Sequence, residues 1–221
     1  MGSLSAIYDN FFTPASYAFS IWGLIYLALI IQGAYWVFLY FKGSEIAFGT
    51  TTMSVWLSVH FFNMLWIYVW LSEQTALSVF VMILLLTALL FVAIRTDKIG
   101  IQKQAQWLYR FPVHLYTGWI IVALVANTSA LLAKLEWSFI FSEVTWAILL
   151  LLISTGIYAI LLWKRSWPIL TYVGLWSLIA IAVKQNGNAT DVHYTALGCT
   201  FLLIVFLISF YRNKPQRPNY S

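Results

Sequence analysis

Three apolar segments carry polar and aromatic side chains at helical spacing, and these are the residues through which the chain could do chemistry. Trp22 and Tyr26 are four residues apart, so on a helix they share a face. Trp56, His60, Asn63 and Trp66 step by four, three and three and form one broad face of a second segment. His114, Tyr116, Trp119, Ala123 and Asn127 lie on a third, where the last three make a stripe with a small residue between an indole and an amide. Aromatic walls with a few amide or imidazole anchors are the usual build of a small-molecule site between helices. The same side chains also serve as interhelical glue, since Asn and His hydrogen-bond between helices and Trp fills space. Both readings stay open at this level.

Other chemistry finds little support. The three histidines, His60, His114 and His193, form no i, i+4 pair, and no carboxylate adjoins His60 or His114, which weakens a metal-hydrolase reading. No ionisable carboxylate, lysine or arginine falls mid-way along an apolar run, as a proton relay or ion-coupled pump would need. The last run has no lysine for a retinal Schiff base. No phosphate-cradling glycine loop or nucleophile elbow is present. The one cysteine, Cys199, excludes an internal disulfide and a cysteine metal cluster.

The elements that position these residues follow from composition. Of 221 residues, 62% are hydrophobic and 9% charged, against about 25% charged in soluble domains. So few charges cannot cover a water-facing surface, which rules out a soluble enzyme, a nucleic-acid binder and a disordered regulator. The charges cut the chain into uncharged runs, the shortest being the 18 residues between Arg165 and Lys184. About 17–25 apolar residues cross the hydrocarbon. The runs predict seven helices, at 17–41, 51–71, 76–94, 111–133, 144–163, 167–184 and 193–211. The fold class is thus an all-α integral membrane protein, a polytopic bundle of about seven transmembrane helices, in a single transmembrane domain over residues 1–221. The loop 95–110 is expected to hold a short interfacial helix anchored by Trp107 and Tyr109. No internal repeat, linker or cleavable signal peptide is evident.

The segment Phe12-Thr13-Pro14-Ala15-Ser16-Tyr17-Ala18-Phe19-Ser20-Ile21-Trp22-Gly23-Leu24-Ile25-Tyr26 resembles the Pro-rich loop and W-x-x-L/I-Y helix of the TspO/translocator protein family, the tryptophan-rich sensory proteins. Asn63-x-x-Trp66 is similar to that family's next-helix motif, and Tyr116-x-x-Trp119-x-x-x-Ala123-x-x-x-Asn127 to its final-helix motif. The resemblance covers 12–133. Residues 134–221 are similar to the additional C-terminal helices of longer members. The sequence starts at the Pro-rich loop, so the family's usual first helix is either lost or replaced or lies before this start, and Pro112 stands one turn early, with Leu115 at the customary position. The sterol-recognition pattern is missing after Ala130. The two loose matches elsewhere, Leu152…Tyr158…Lys164 and Leu207…Tyr211…Lys214, fit so degenerate a pattern that coincidence is expected.

The resemblance implies a membrane-embedded binding or sensory protein for a flat hydrophobic ligand such as a porphyrin, haem or sterol-like molecule. Transport of tetrapyrroles or other small hydrophobic molecules and porphyrin degradation are the alternatives it leaves, with an enzyme the less favoured. Trp22, Tyr26, Asn63, Trp66, Tyr116, Trp119, Ala123 and Asn127 would line the pocket under a loop shaped by Pro14. His60 or Asn63 would meet the ligand's polar edge. No cofactor is required, though a bound porphyrin or haem is compatible. The partners expected are the lipid bilayer and a hydrophobic small molecule, not nucleic acid, and a homodimer is left open.

Charge asymmetry sets an expected orientation. With seven spans, ten basic residues (Lys42, Arg95, Lys98, Lys103, Arg110, Lys164, Arg165, Arg212, Lys214, Arg217) collect on one side, and only Lys134 and Lys184 on the other. Basic short loops stay cytoplasmic, so the N-terminus is expected outside and the C-terminus inside. A C-terminal reporter should therefore be active in the cytoplasm, and the outer-loop sequon Asn188-Ala189-Thr190 should accept glycan in a secretory pathway. A reporter active only outside the cytoplasm overturns the orientation.

Overall fold

The computed structural model describes residues 10–99, 103–135, 137 and 141–213. A 3-10 turn, Ser16–Ser20, leads into α1 (Ile21–Phe41). There follow α2 (Thr50–Leu71), α3 (Thr75–Thr96), α4 (Lys103–Lys134), α5 (Glu143–Arg165), α6 (Pro168–Gln185) and α7 (Thr190–Arg212). Seven helices among the described residues are long and apolar enough to cross a membrane. The chain is a multi-pass integral membrane protein.

Local chemistry sets the turns. Ser142 accepts the Thr145 backbone N–H and caps α5, whose first turn carries Glu143 and whose last carries Lys164 and Arg165, each sign complementing the helix dipole. Ser166 then adopts a left-handed conformation, φ 57°, and Pro168 opens α6 at a position where its missing N–H is no loss.

One boundary differs from the sequence expectation. Residues 103–110 are not a separate interfacial helix but the first turns of α4. Trp107 remains exposed and stacks on Phe111, with centroids 4.2 Å apart. Tyr109 instead turns inward, 1% exposed, and its hydroxyl accepts the Ala47 N–H at 3.1 Å. The helix continues because Pro112, which should break it, is tolerated. Proline has no N–H for the carbonyl four residues back, and that carbonyl, Leu108, accepts instead from the buried Gln32 side chain of α1 at 3.1 Å. In hydrocarbon, such a replacement partner is the condition for an interior proline.

α4 is the axis of the bundle. It packs against α1, α3, α5 and α6, and most of its span is buried, whereas most of α1 is not. From Pro112 to Val122 every residue is buried. Close approach comes from glycine. A Cβ on Gly118 would lie 3.0 Å from Val173, and one on Gly174 would lie 2.6 Å from the Tyr158 ring. In this junction the Tyr158 hydroxyl donates to the Gly118 carbonyl at 2.7 Å. Tyr158 is therefore a buried packing residue and is withdrawn from the lipid face that a sterol motif needs. The Lys214 of the second loose match lies outside the described residues.

The N-terminal loop is held from both sides. The Asn10 side-chain oxygen accepts the Phe12 and Thr13 N–H groups at 3.0 and 3.1 Å and the Ser129 hydroxyl of α4 at 2.9 Å. From α6, the Gln185 amide donates to the Phe11 carbonyl, the Trp176 indole donates to the Ala18 carbonyl, and the Ala180 carbonyl accepts the Ala15 N–H.

The Gln32–Leu108 bond makes a coupled prediction. Gln32→Leu should cost about 1–3 kcal/mol, the usual penalty of a stranded buried carbonyl. With Pro112→Ala present, the restored N–H should satisfy Leu108, and the same change should cost clearly less. Thermal unfolding in detergent of the four proteins of the cycle measures this; equal costs in both backgrounds overturn it.

Candidate functional site

Trp22 is the hub of an aromatic cluster linking three helices. Its ring stacks on Tyr26 of its own helix at 5.5 Å and on Trp66 of α2 at 6.1 Å. It meets Tyr116 and Trp119 of α4 edge-on at 5.9 and 6.3 Å. Phe19 in turn meets Trp119 edge-on at 5.8 Å. The close backbone neighbour of α2 is α3 rather than α1 or α4. Large side chains span the gap that this leaves, and the space they do not fill is a cavity.

The cavity is walled by Phe19, Trp22, Trp66, Trp70 and Trp119, floored on α4 by Val122, Ala123, Ala126, Asn127 and Ala130, and closed by Asn10, Thr13 and Pro14 of the loop. Its free volume is about 40 Å³, room for a few water molecules rather than a macrocycle. Beyond Asn10 a second recess of about 90 Å³, bordered by Ser129, Trp137, Glu143 and Trp146, leads toward the end of the bundle that carries the N-terminus.

Asn127 organises the polar corner. Its side-chain oxygen accepts the Trp66 indole N–H at 3.3 Å and lies 3.0 Å from the Ser78 hydroxyl of α3, which also reaches the Thr75 carbonyl at 2.7 Å. Its amide nitrogen donates back to the Ala123 carbonyl at 2.9 Å. Three buried polar atoms nearby have no hydrogen-bond partner among the described residues: Trp119 Nε1, the Tyr116 hydroxyl and Asn63 Oδ1. Of these residues only Trp119 lines the cavity.

The structure thus brings Pro14, Trp22, Trp66, Trp119, Ala123 and Asn127 to one cavity and leaves four other expected residues off its walls. Tyr26 lies behind Trp22 with 42% of its surface exposed, and Tyr116 lies beneath it, fully buried. Asn63 is buried on α2 one turn before Trp66 and does not line the cavity. His60 packs edge-on against Trp56 at 4.9 Å. The helical period explains this: six residues separate His60 from Trp66, which turns them about 120° apart at 3.6 residues per turn. A stripe broad enough to hold both cannot aim both at one point. His114 packs against Trp167, and His193 Nδ1 contacts the Ala182 carbonyl at 2.7 Å. Sequence reasoning missed Trp70, which its step of four from Trp66 signals, and the small-residue row Ala126 and Ala130 beside Ala123. Phe19 and Asn10 belong to the loop, where no period points to them.

The two amides should behave oppositely. Asn127→Leu strands the Trp66 N–H and should cost on the order of 1–3 kcal/mol, whereas Asn63→Leu removes an acceptor that has no donor and should be near neutral. Chemical or thermal denaturation in detergent decides; a large loss at Asn63 alone reverses the assignment of which amide is structural.

No curated protein and no solved structure matches the chain. A model of the TSPO-like protein family matches residues 1–209, which takes in the C-terminal helices as well as the aromatic cluster. With seven spanning helices around an indole-walled cavity and a family match along nearly its whole length, the chain belongs to the TSPO-like protein family.

Proposed function

We propose that the chain is a membrane-embedded binding protein for a flat hydrophobic molecule of the porphyrin or haem class, held among Trp22, Trp66, Trp70 and Trp119. The observation that carries this reading is the cavity itself, built from four indoles on three helices with few polar atoms. Aromatic faces stack on a planar ring, and burial of its apolar area adds to the affinity. The unpartnered Trp119 N–H, on a residue 2% exposed, is a donor for the ligand's polar edge. It takes the role first expected of His60 or Asn63.

A macrocycle is far larger than the present cavity, so binding needs an opening. The loop around Pro14 is the wall not built from a transmembrane helix. Its displacement, against the bonds from Asn10 to Ser129 and from Gln185 to Phe11, admits the ligand. With the N-terminus outside, entry is from the outer face. Unbroken packing of α4 from Pro112 to Val122 below the cavity favours binding over transport.

Titration of protoporphyrin, followed by quenching of tryptophan fluorescence at matched detergent, tests this. Trp119→Ala should weaken binding by about 1–3 kcal/mol, the usual value of an aromatic stacking platform. Ala123→Phe, which fills the floor, should weaken it more. Tyr158→Phe should leave affinity unchanged, because its hydroxyl serves the α4–α5 contact. Wild-type affinity in Ala123→Phe would mean that the stripe is packing and that the reading fails.

A further inference from the structure

The basic residues of the inner loops are not spread evenly. Arg95 and Lys98, at the end of α3, border an open cleft of about 660 Å³ whose opposite wall is the first turn of α2, Thr50, Thr51 and Thr52. The two walls meet because α2 and α3 form an antiparallel pair. Glycine occupies the cap position of α2, so no side chain caps the helix, and its first turn holds no carboxylate. The first N–H groups of a helix have no partner inside it and carry the positive end of its dipole. Here they face a cleft rather than a capping side chain.

A second observation comes from Thr52. The residue is 8% exposed and lines the cleft, and its hydroxyl, not itself buried, makes no hydrogen bond among the described residues. The cations are equally uncommitted to carboxylates. The Arg95 guanidinium lies over the Phe91 ring, and no ion pair involves it or Lys98 among the described residues. Asp97, between them in sequence, is turned away. It accepts the Trp167 indole at 2.8 Å and lies 4.0 Å from Arg110.

We propose that this cleft binds a phosphate group, and that an anionic lipid of the same leaflet supplies it. Two cations, a run of helix-terminal N–H groups and a hydroxyl donor form the donor set that phosphate oxygens take. The ends of α2 and α3 lie where their spans finish, at head-group depth, so a lipid phosphate reaches the cleft without leaving the bilayer. The site lies away from the indole cavity and shares no residue with it.

The test uses the full chain in detergent, with phosphatidic acid and phosphatidylcholine added and bound lipid counted by native mass spectrometry. The wild type should retain phosphatidic acid over phosphatidylcholine. Arg95→Gln with Lys98→Gln should reduce that retention about 25-fold, since each basic group near a lipid surface adds a roughly fivefold preference for anionic lipid. Thr52→Val should reduce it severalfold, and Lys98→Gln, which changes only one exposed side chain, should do so with an unaltered melting temperature. Lys164→Gln with Arg165→Gln, which removes equal charge from the same side, should leave it unchanged. Equal retention by the Arg95/Lys98 double variant overturns the proposal, and so does an equal loss in the Lys164/Arg165 control. Displacement of the lipid by millimolar inorganic phosphate overturns the lipid as its source. Failure to displace it supports the lipid.

Discussion

A backbone polar group inside a bilayer has no water to turn to, and the bundle depends on meeting that constraint around α4. Pro112 sits in the most buried helix of the molecule and removes one of its hydrogen bonds. Gln32 supplies the missing donor across the α1–α4 contact. Proline and glutamine, neither of them common inside a span, explain one another. The pairing is one contact between α1 and α4, the two helices that also bring Trp22 and Trp119 together.

Packing is tight on one side of α4 and loose on the other. Toward α5 and α6, Gly118 and Gly174 let backbones approach until a single Cβ would collide, and the Tyr158 hydroxyl closes the junction. Toward α2 the helices stand apart. Indoles are long enough to reach across that interval but too rigid to fill it, so a void stays between them. Trp66 reaches Asn127 with its N–H, and Trp22 is held on several sides by rings. The cavity is what remains when stiff, flat side chains bridge the gap between α2 and α4.

The C-terminal helices have a part in this. α6 donates to the loop through Gln185 and Trp176 and accepts from it through Ala180. The loop carries Pro14 over the cavity. A segment more than 150 residues away in sequence therefore holds the cap in place. The family match covers residues 1–209 and so includes these helices.

The number of spans was legible in the sequence because the cost of burying charge in hydrocarbon is large and local, so each apolar run declares itself without its neighbours. The same holds for the stripe Trp119, Ala123 and Asn127, whose spacing of four fits a single helical face. Interfacial helix 95–110 failed for a specific reason: Pro112 reads locally as a boundary, and only the distant Gln32 makes it an interior residue. Asn63, on the same side as Trp66 and Trp70, lies farther along α2 than the residues that line the cavity. His60 is turned off the cavity because a helical period says which residues share a face but not which edge of that face meets a neighbour. That choice belongs to the packing of α2 against α3. The loop residues Asn10 and Phe19, the cap by α6 and the cleft between Thr52 and Lys98 have no period at all. They exist only where separate segments meet, so tertiary structure alone decided them.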